Sequence, residues 1–204
     1  MNNDKARLPK GQILTSKFPV LSSTATPNID IDSYRLRVFG VVEKELNLSF
    51  NELLSLGVEK RILDFHCVTH WSRLGDTWEG IPLKKILDLA KPKADYLMLY
   101  SSYSYYSANV PMSYIDDNAM LAIRFNGKPL EPDHGGPIRA IIPTLYAWKS
   151  VKWIDGIEVM RENNPGFWEQ RGYHLIGDYT KEQRYAEGIN FVNKLLFFRR
   201  SKSD

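Results

Sequence analysis

The run Arg61-Ile62-Leu63-Asp64-Phe65-His66-Cys67-Val68-Thr69-His70-Trp71-Ser72 has the pattern of a strand that carries the chain's only cysteine to its end. A thiolate is both a strong nucleophile and a soft metal ligand, and this one stands between two histidines with Trp71 and Ser72 just beyond. A free cysteine also serves as a small buried hydrophobe, so the run alone leaves a purely structural role open. Zinc would need His66 and Cys67 on one ion. Neighbours on a strand point to opposite faces, and no fourth ligand is at hand. A cysteine hydrolase needs a base held by a third group; the chain offers 4 histidines but no local signature of that chemistry.

Working outward, Tyr34 to Val42 alternates as a strand before Gly40, and Ser49-Phe50-Asn51-Glu52 is a capping box opening a short helix through Leu56. Pro82 suits the first turn of a helix with Leu83, Ile86, Leu87 and Ala90 on one face. Tyr96 to Tyr100 is a buried-type strand, followed by the polar and aromatic run Ser101 to Ser107. Met120 to Phe125 is a strand ending in the tight-turn pair Asn126-Gly127, and further strands are expected over Ile138 to Ile142 and Val151 to Met160. Strands outnumber helices without regular alternation, so the fold class is α+β and not a doubly wound sheet.

With 204 residues the chain has length for one sizeable core, and a hydrophobic fraction of 43% is that of an ordinary globular protein. A net charge of +3, without a basic stripe, argues against a nucleic-acid partner. One cysteine excludes an internal disulfide. No window reaches about 18 consecutive apolar residues, so no membrane span is expected. The start lacks an apolar export core and a twin arginine, which makes the cytoplasm the expected address.

Three further stretches have the makings of a site. In His134-Gly135-Gly136-Pro137-Ile138-Arg139, glycines let backbone approach a ligand, while an imidazole and a guanidinium can both donate to an anion. Trp148-Lys149-Ser150-Val151-Lys152-Trp153 is a basic turn whose N–H groups suit an anion nest. Pro165 to His174 is aromatic, glycine-rich and irregular, as in a loop closing over a site.

These stretches, with Trp78-Glu79-Gly80 and the arm Phe18-Pro19-Val20-Leu21, resemble in order and spacing the molybdopterin-binding domain of the sulfite oxidase family. The likeness runs from about Leu8 to Tyr185 and is greatest to the small bacterial and archaeal sulfite oxidase-like oxidoreductases. The resemblance implies mixed β-sheets with peripheral helices in a single domain. It also implies an N-terminal arm (1–30) over the cofactor, a binding domain (31–185) and a tail (186–204). Cys67 is then the molybdenum ligand and the catalytic anchor. Phe18, Leu21, His66, Ser101, His134, Arg139, Ser150, Val151 and Lys152 are the implied cofactor contacts, and His70, Tyr103, Trp168, Tyr173 and His174 the implied substrate pocket.

The implied activity is oxygen-atom transfer or redox of a small polar molecule, either sulfite-like or an S- or N-oxide. The chain has no room for the haem or dimerisation domains of larger relatives, so no haem is expected and electrons pass through an unidentified donor or acceptor. A non-catalytic molybdopterin-binding module is the alternative. The family's arginine cluster is not plainly reproduced here, since His70 and Arg73 fall in that neighbourhood. The segment Phe191 to Arg200 lies outside the likeness and reads either as a terminal helix packed on the core or as an amphipathic docking helix.

Overall fold

A computed structural model describes residues 7–187. Its strands are β1 (Ile13–Leu14), β2 (Arg35–Gly40), β3 (Leu46–Ser49), β4 (Glu59–His66), β5 (Trp71–Pro82), β6 (Tyr96–Ser101), β7 (Tyr106–Pro111), β8 (Met120–Phe125), β9 (Lys128–Pro129), β10 (Arg139–Ile141) and β11 (Gly156–Met160). They are joined by the helices α1 (Phe50–Ser55) and α2 (Leu83–Ala90) and by short 3-10 turns. The tail Phe191 to Arg200 lies outside the described residues.

Two sheets result. In the first, β1, β5, β8 and β10 lie in that order, with β4 pairing β5 and β9 pairing β8. The second runs β3-β2-β11-β6-β7. Mixed sheets with few helices make this the α+β architecture that the pattern predicts. No helix among the described residues is long and apolar enough to cross a membrane.

The local chemistry is visible in each element. In β2, Leu36 and Val38 are buried while Arg35 and Arg37 are exposed, as a period of two requires. Ser49 caps α1 by accepting from the Glu52 amide, and Glu52 reaches back to the Ser49 amide at 2.8 Å. Helix α2 buries Leu83, Ile86, Leu87 and Ala90 and ends at Lys91 in a left-handed conformation. Pro82 sits one position earlier than expected, as the residue flanking the helix. Asn126 and Gly127 both take positive φ (47° and 78°), turning β8 into β9. One core joins the sheets: Leu36, Val38, Leu99, Ile157 and Val159 of the second meet Leu121 and Ala140 of the first, with α2 packed against them.

The expected strand Val151 to Met160 is shorter, Gly156–Met160, because residues before it turn; Trp153 has φ +52°. The strand β5 is longer than the sequence pattern shows. Its pairing with β8 shifts between Glu79 and Gly80, which breaks the alternation that would betray it. Gly80 is where the two strands come closest: a Cβ there would lie 2.1 Å from the Leu121 carbonyl oxygen. Gly80→Ala is therefore expected to cost about 3 kcal/mol and to lower the thermal midpoint by about 6–12 °C. An unchanged melting curve would contradict the close approach.

Candidate functional site

Cys67 follows β4 directly and opens a tight turn. The His70 amide donates to the Cys67 carbonyl at 3.1 Å, and the Cys67 amide to the Trp71 carbonyl at 2.9 Å. His70 closes the turn with φ +72°. Cys67 is buried, its Sγ 3.1 Å from the Thr69 hydroxyl. Burial pushes the thiol's pKa up; hydrogen bonds around Thr69 and the nearby Arg184 guanidinium oppose that only in part.

The thiol faces a cavity of about 310 Å³. The arm supplies Phe18 and Leu21, the cysteine turn supplies Thr69 and Trp71, and the start of β7, within the polar and aromatic run, supplies Tyr106. Opposite stand His134 and Arg139, then Trp148, Ser150 and Lys152, while Trp168 and Tyr173 close the remaining wall. Stretches far apart in sequence thus meet around the only cysteine.

On the cationic side of the cavity His134 Nε2 lies 4.0 Å from the Glu131 carboxylate and Asp133 acts on Lys152, but Arg139 has no counter-charge among the described residues. Arg139 is buried, donating to the carbonyls of His134 (2.8 Å) and Ser150 (2.7 Å), and no carboxylate pairs with it among the described residues. Burial pulls its pKa down to about 9. A guanidinium keeps its proton, so the site gains most by admitting an anion. Lys152 donates to the Asp133 carbonyl at 2.6 Å, and burial with the Arg139 charge brings it down to about 8. His134 stacks on Phe18 at 4.1 Å, and its buried Nδ1 has no partner among the described residues. Burial, Arg139 and Lys152 together lower its pKa. The turn that presents it needs glycine: Gly135 has φ +103°, and a Cβ on Gly136 would lie 2.0 Å from the Leu130 carbonyl oxygen.

These shifts set a pH dependence. Lys152 and Lys149 both sit near 8 in the folded chain and near 10.5 when free, so the unfolded chain holds more protons between those values. The two lysines should therefore raise the stability of cofactor-free protein from pH 8 to 9; toward pH 10 the buried Cys67 thiol and the buried tyrosines, whose pKa values are raised, act with the opposite sign and flatten that rise. The extra stabilisation given by inorganic phosphate should shrink over the same interval, as Lys152 loses its charge. Thermal melts at pH 7.5, 9 and 10, with and without phosphate, test both signs.

The wall beside the thiol is aromatic. Trp168 stacks on Tyr173 at 5.0 Å, and Tyr173 meets Trp148 edge-on at 5.0 Å. Burial raises the Tyr173 pKa, with the Tyr185 and Cys67 charges adding to it, so its hydroxyl stays a donor. Trp148 is itself held by Glu169, whose Oε1 accepts from the indole Nε1 at 2.7 Å and from Lys149 Nζ at 2.6 Å.

Several expected site residues stand elsewhere. His66 points away from the cavity: its Nδ1 shares a 2.8 Å hydrogen bond with Ser72, its ring lies 4.1 Å from Tyr179, and burial lowers its pKa to about 4. His70 is exposed, and its Nδ1 donates to the Gly11 carbonyl at 2.8 Å. His174 Nδ1 accepts from the amides of Ile176 and Gly177 at 3.0 and 3.3 Å, outside the cavity lining. Tyr103 and Val151 are likewise not in the lining. Ser101 lines an adjoining cavity that shares Tyr106 with the first; its buried hydroxyl has no partner among the described residues. Ser150 does line the cavity, but its hydroxyl accepts from the Ile142 amide at 3.0 Å. Arg73 is bound to Asp76 through two nitrogens (2.5 and 2.7 Å), which removes it as a substrate cation.

Sequence reasoning did not single out Thr69, Trp71, Tyr106 and Trp148 as cavity residues. Each lay in a stretch that did carry a signal: Thr69 and Trp71 in the run that follows Cys67, Tyr106 in the polar and aromatic run, and Trp148 in the Trp-Lys-Ser run. Among the described residues no group of three or more His, Cys, Asp or Glu could hold a metal, so an ion on Cys67 has to bring its other ligands with it.

Comparison with known proteins gives a consistent picture. Residues 23–168 match the family described as the oxidoreductase molybdopterin binding domain. The chain is 38% identical over 189 residues to the uncharacterized oxidoreductase YuiH of Bacillus subtilis, covering 91% of this chain and 95% of that one. It is 31% identical over 172 residues to the protein-methionine-sulfoxide reductase catalytic subunit MsrP of Campylobacter jejuni, covering 75% of this chain but only 58% of the relative. Identity is 26% over 180 residues to the putative protein-methionine-sulfoxide reductase subunit YedZ1 of Azospira oryzae, with 86% and 68% covered. The sulfane dehydrogenase SoxCD from Paracoccus pantotrophus shares the fold, with a TM-score of 0.60 at 24% identity over 67% of this chain and 40% of its own.

Proposed function

Because the chain belongs to the oxidoreductase molybdopterin-binding domain family, we propose that it is a mononuclear molybdenum enzyme that takes the oxygen atom from a small neutral S-oxide or N-oxide, with Cys67 the protein's own ligand to the metal. The aromatic wall beside the thiol is the observation that carries this reading. Trp148, Trp168 and Tyr173 stand there, and Arg184, the cation whose charge acts on Cys67, does not line the cavity. A sulfite dianion would meet indole faces where it needs cations. The relative named as a methionine-sulfoxide reductase catalytic subunit supports the reductive direction.

The residues present fit the cofactor. A soft thiol without companion ligands suits a metal that arrives with sulfur ligands of its own. The uncompensated Arg139, Lys152 and the unpartnered His134 Nδ1 suit a polar, anionic pterin phosphate. When bound, the molybdenum cofactor supplies the two-electron chemistry. The chain's residues do the rest. Cys67 holds the metal; Arg139, His134 and Lys152 hold the anionic end; Phe18 lies over His134 and keeps water from it. Trp148 and Trp168 receive the apolar flanks of the substrate, and the Tyr173 hydroxyl donates to the oxygen to be removed. Overall, an S-oxide, two electrons from an external donor and two protons give the sulfide and water.

The test is to express the chain in a host that makes molybdopterin and to measure molybdenum, tungsten and zinc. Turnover is then assayed with reduced viologen plus sulfoxides, and with sulfite plus ferricyanide. Near-stoichiometric molybdenum and faster viologen oxidation are expected. Sulfite turnover alone would reverse the proposed direction. Bound molybdenum without any turnover would favour a non-catalytic module, and zinc or no metal would sink the reading.

A further inference from the structure

The Cys67–His70 turn is held from below by the two ends of the described chain. Gln12 donates from Nε2 to the Cys67 carbonyl at 3.0 Å, and Arg184 donates from Nη1 to the Val68 carbonyl at 2.8 Å. The Ile13 amide takes the His70 carbonyl at 2.8 Å. Gln12 and Arg184 are only 7% exposed each, and both lie outside the residues 23–168 that match the family. Burying a guanidinium is costly without a carboxylate, and none pairs with Arg184 among the described residues. The guanidinium lies 4.7 Å from the Tyr146 ring centroid instead, its Nη2 unpartnered there. A charge kept buried on those terms, and aimed at the carbonyl next to the metal-binding residue, points to a role in placing that residue.

We propose that Gln12 and Arg184 are positioning residues that clamp the carbonyls of Cys67 and Val68 and thereby fix the direction in which Cys67 Sγ enters the cavity. The proposal rests on Cys67 being the metal ligand. A backbone held at both carbonyls fixes the Cα–Cβ direction of Cys67, and the Thr69 hydroxyl 3.1 Å from Sγ then selects among its rotamers. Without the clamp the turn keeps only its own backbone hydrogen bonds and that from the Ile13 amide, and the Val68 carbonyl loses its side-chain donor.

The variants Arg184→Met, Arg184→Lys and Gln12→Leu, with wild type, are made in a host that supplies molybdopterin. Three readouts are taken: amide hydrogen exchange at 67–70 in cofactor-free protein, the rate of molybdenum release, and the electron paramagnetic resonance spectrum of the partly reduced metal. For Arg184→Met and Gln12→Leu, exchange at the turn should rise at least about tenfold with the remaining amides unchanged. Metal release should quicken about 10–100-fold and the spectrum should change. Arg184→Lys, which can still donate to the Val68 carbonyl, should restore most of each. Wild-type release and an unchanged spectrum in the Met and Leu variants would overturn the clamp, as would faster exchange spread evenly over the whole chain. If wild type itself holds no molybdenum, the functional reading fails first and the clamp, as the clamp of a metal ligand, falls with it.

Discussion

Cys67→Ser is expected to lower turnover by about a thousandfold or more, equivalent to about 4 kcal/mol of lost transition-state stabilisation, while leaving the pterin largely in place. Cys67 is the only cysteine, and no cluster of other donors stands ready among the described residues. A serine hydroxyl is hard and gives up its proton far less readily than a thiol, so it replaces neither the softness nor the charge. Pterin retention depends on other groups, because Arg139, His134 and Lys152 sit on the anion side of the cavity. The reciprocal variant, Arg139→Met, should lose the pterin with Cys67 intact. Pterin fluorescence after oxidative release, metal content and viologen-linked turnover separate the two. Turnover at the wild-type rate in Cys67→Ser would remove Cys67 from the mechanism.

Lys149→Met is expected to be the most damaging single change to stability, at about 3–5 kcal/mol, or roughly 10–15 °C in thermal midpoint. Lys149 is fully buried, and four acceptors ring the three protons of its ammonium: the Asn109 carbonyl (2.9 Å) and Oδ1 (2.8 Å), the Leu175 carbonyl (2.8 Å) and Glu169 Oε1 (2.6 Å). Removing it strands the buried Glu169 carboxylate, whose Oε2 already has no partner among the described residues. The double variant Lys149→Met with Glu169→Leu removes the stranded charge as well. It should therefore be more stable than the sum of the two single changes implies. Urea or thermal unfolding of the cycle measures this directly, and additivity would show that the pair is not coupled.

How much of this was legible in the sequence depended on how local the cause was. The capping box at Ser49, the face Leu83-Ile86-Leu87-Ala90 and the Asn126-Gly127 hairpin are short-range chemistry, and each forms where the pattern puts it. The strand Trp71–Pro82 stayed hidden because a register shift at Gly80 interrupts its alternation. Strand alternation also separates His66 from Cys67, as the argument against a zinc site required, and this takes His66 out of the implied cofactor contacts. The family likeness itself, and the meeting of the His134, Trp148 and Trp168 stretches around Cys67, follow from motif order. Gln12 and Arg184 had no such signal: their partners lie 55 and 116 residues away, and neither belongs to a motif.

The arm and the last described segment both touch the cysteine turn, and this has a temporal consequence. A ribosome releases Cys67 and then Arg139 well before Tyr173 and Arg184, so the anion side of the cavity and the thiol exist while one wall is still missing. Contacts that span 116 residues are among the last that a growing chain can make. The Trp168–Tyr173 wall and the Arg184 contact to the cysteine turn are thus completed last, after every residue of the anion side has been made.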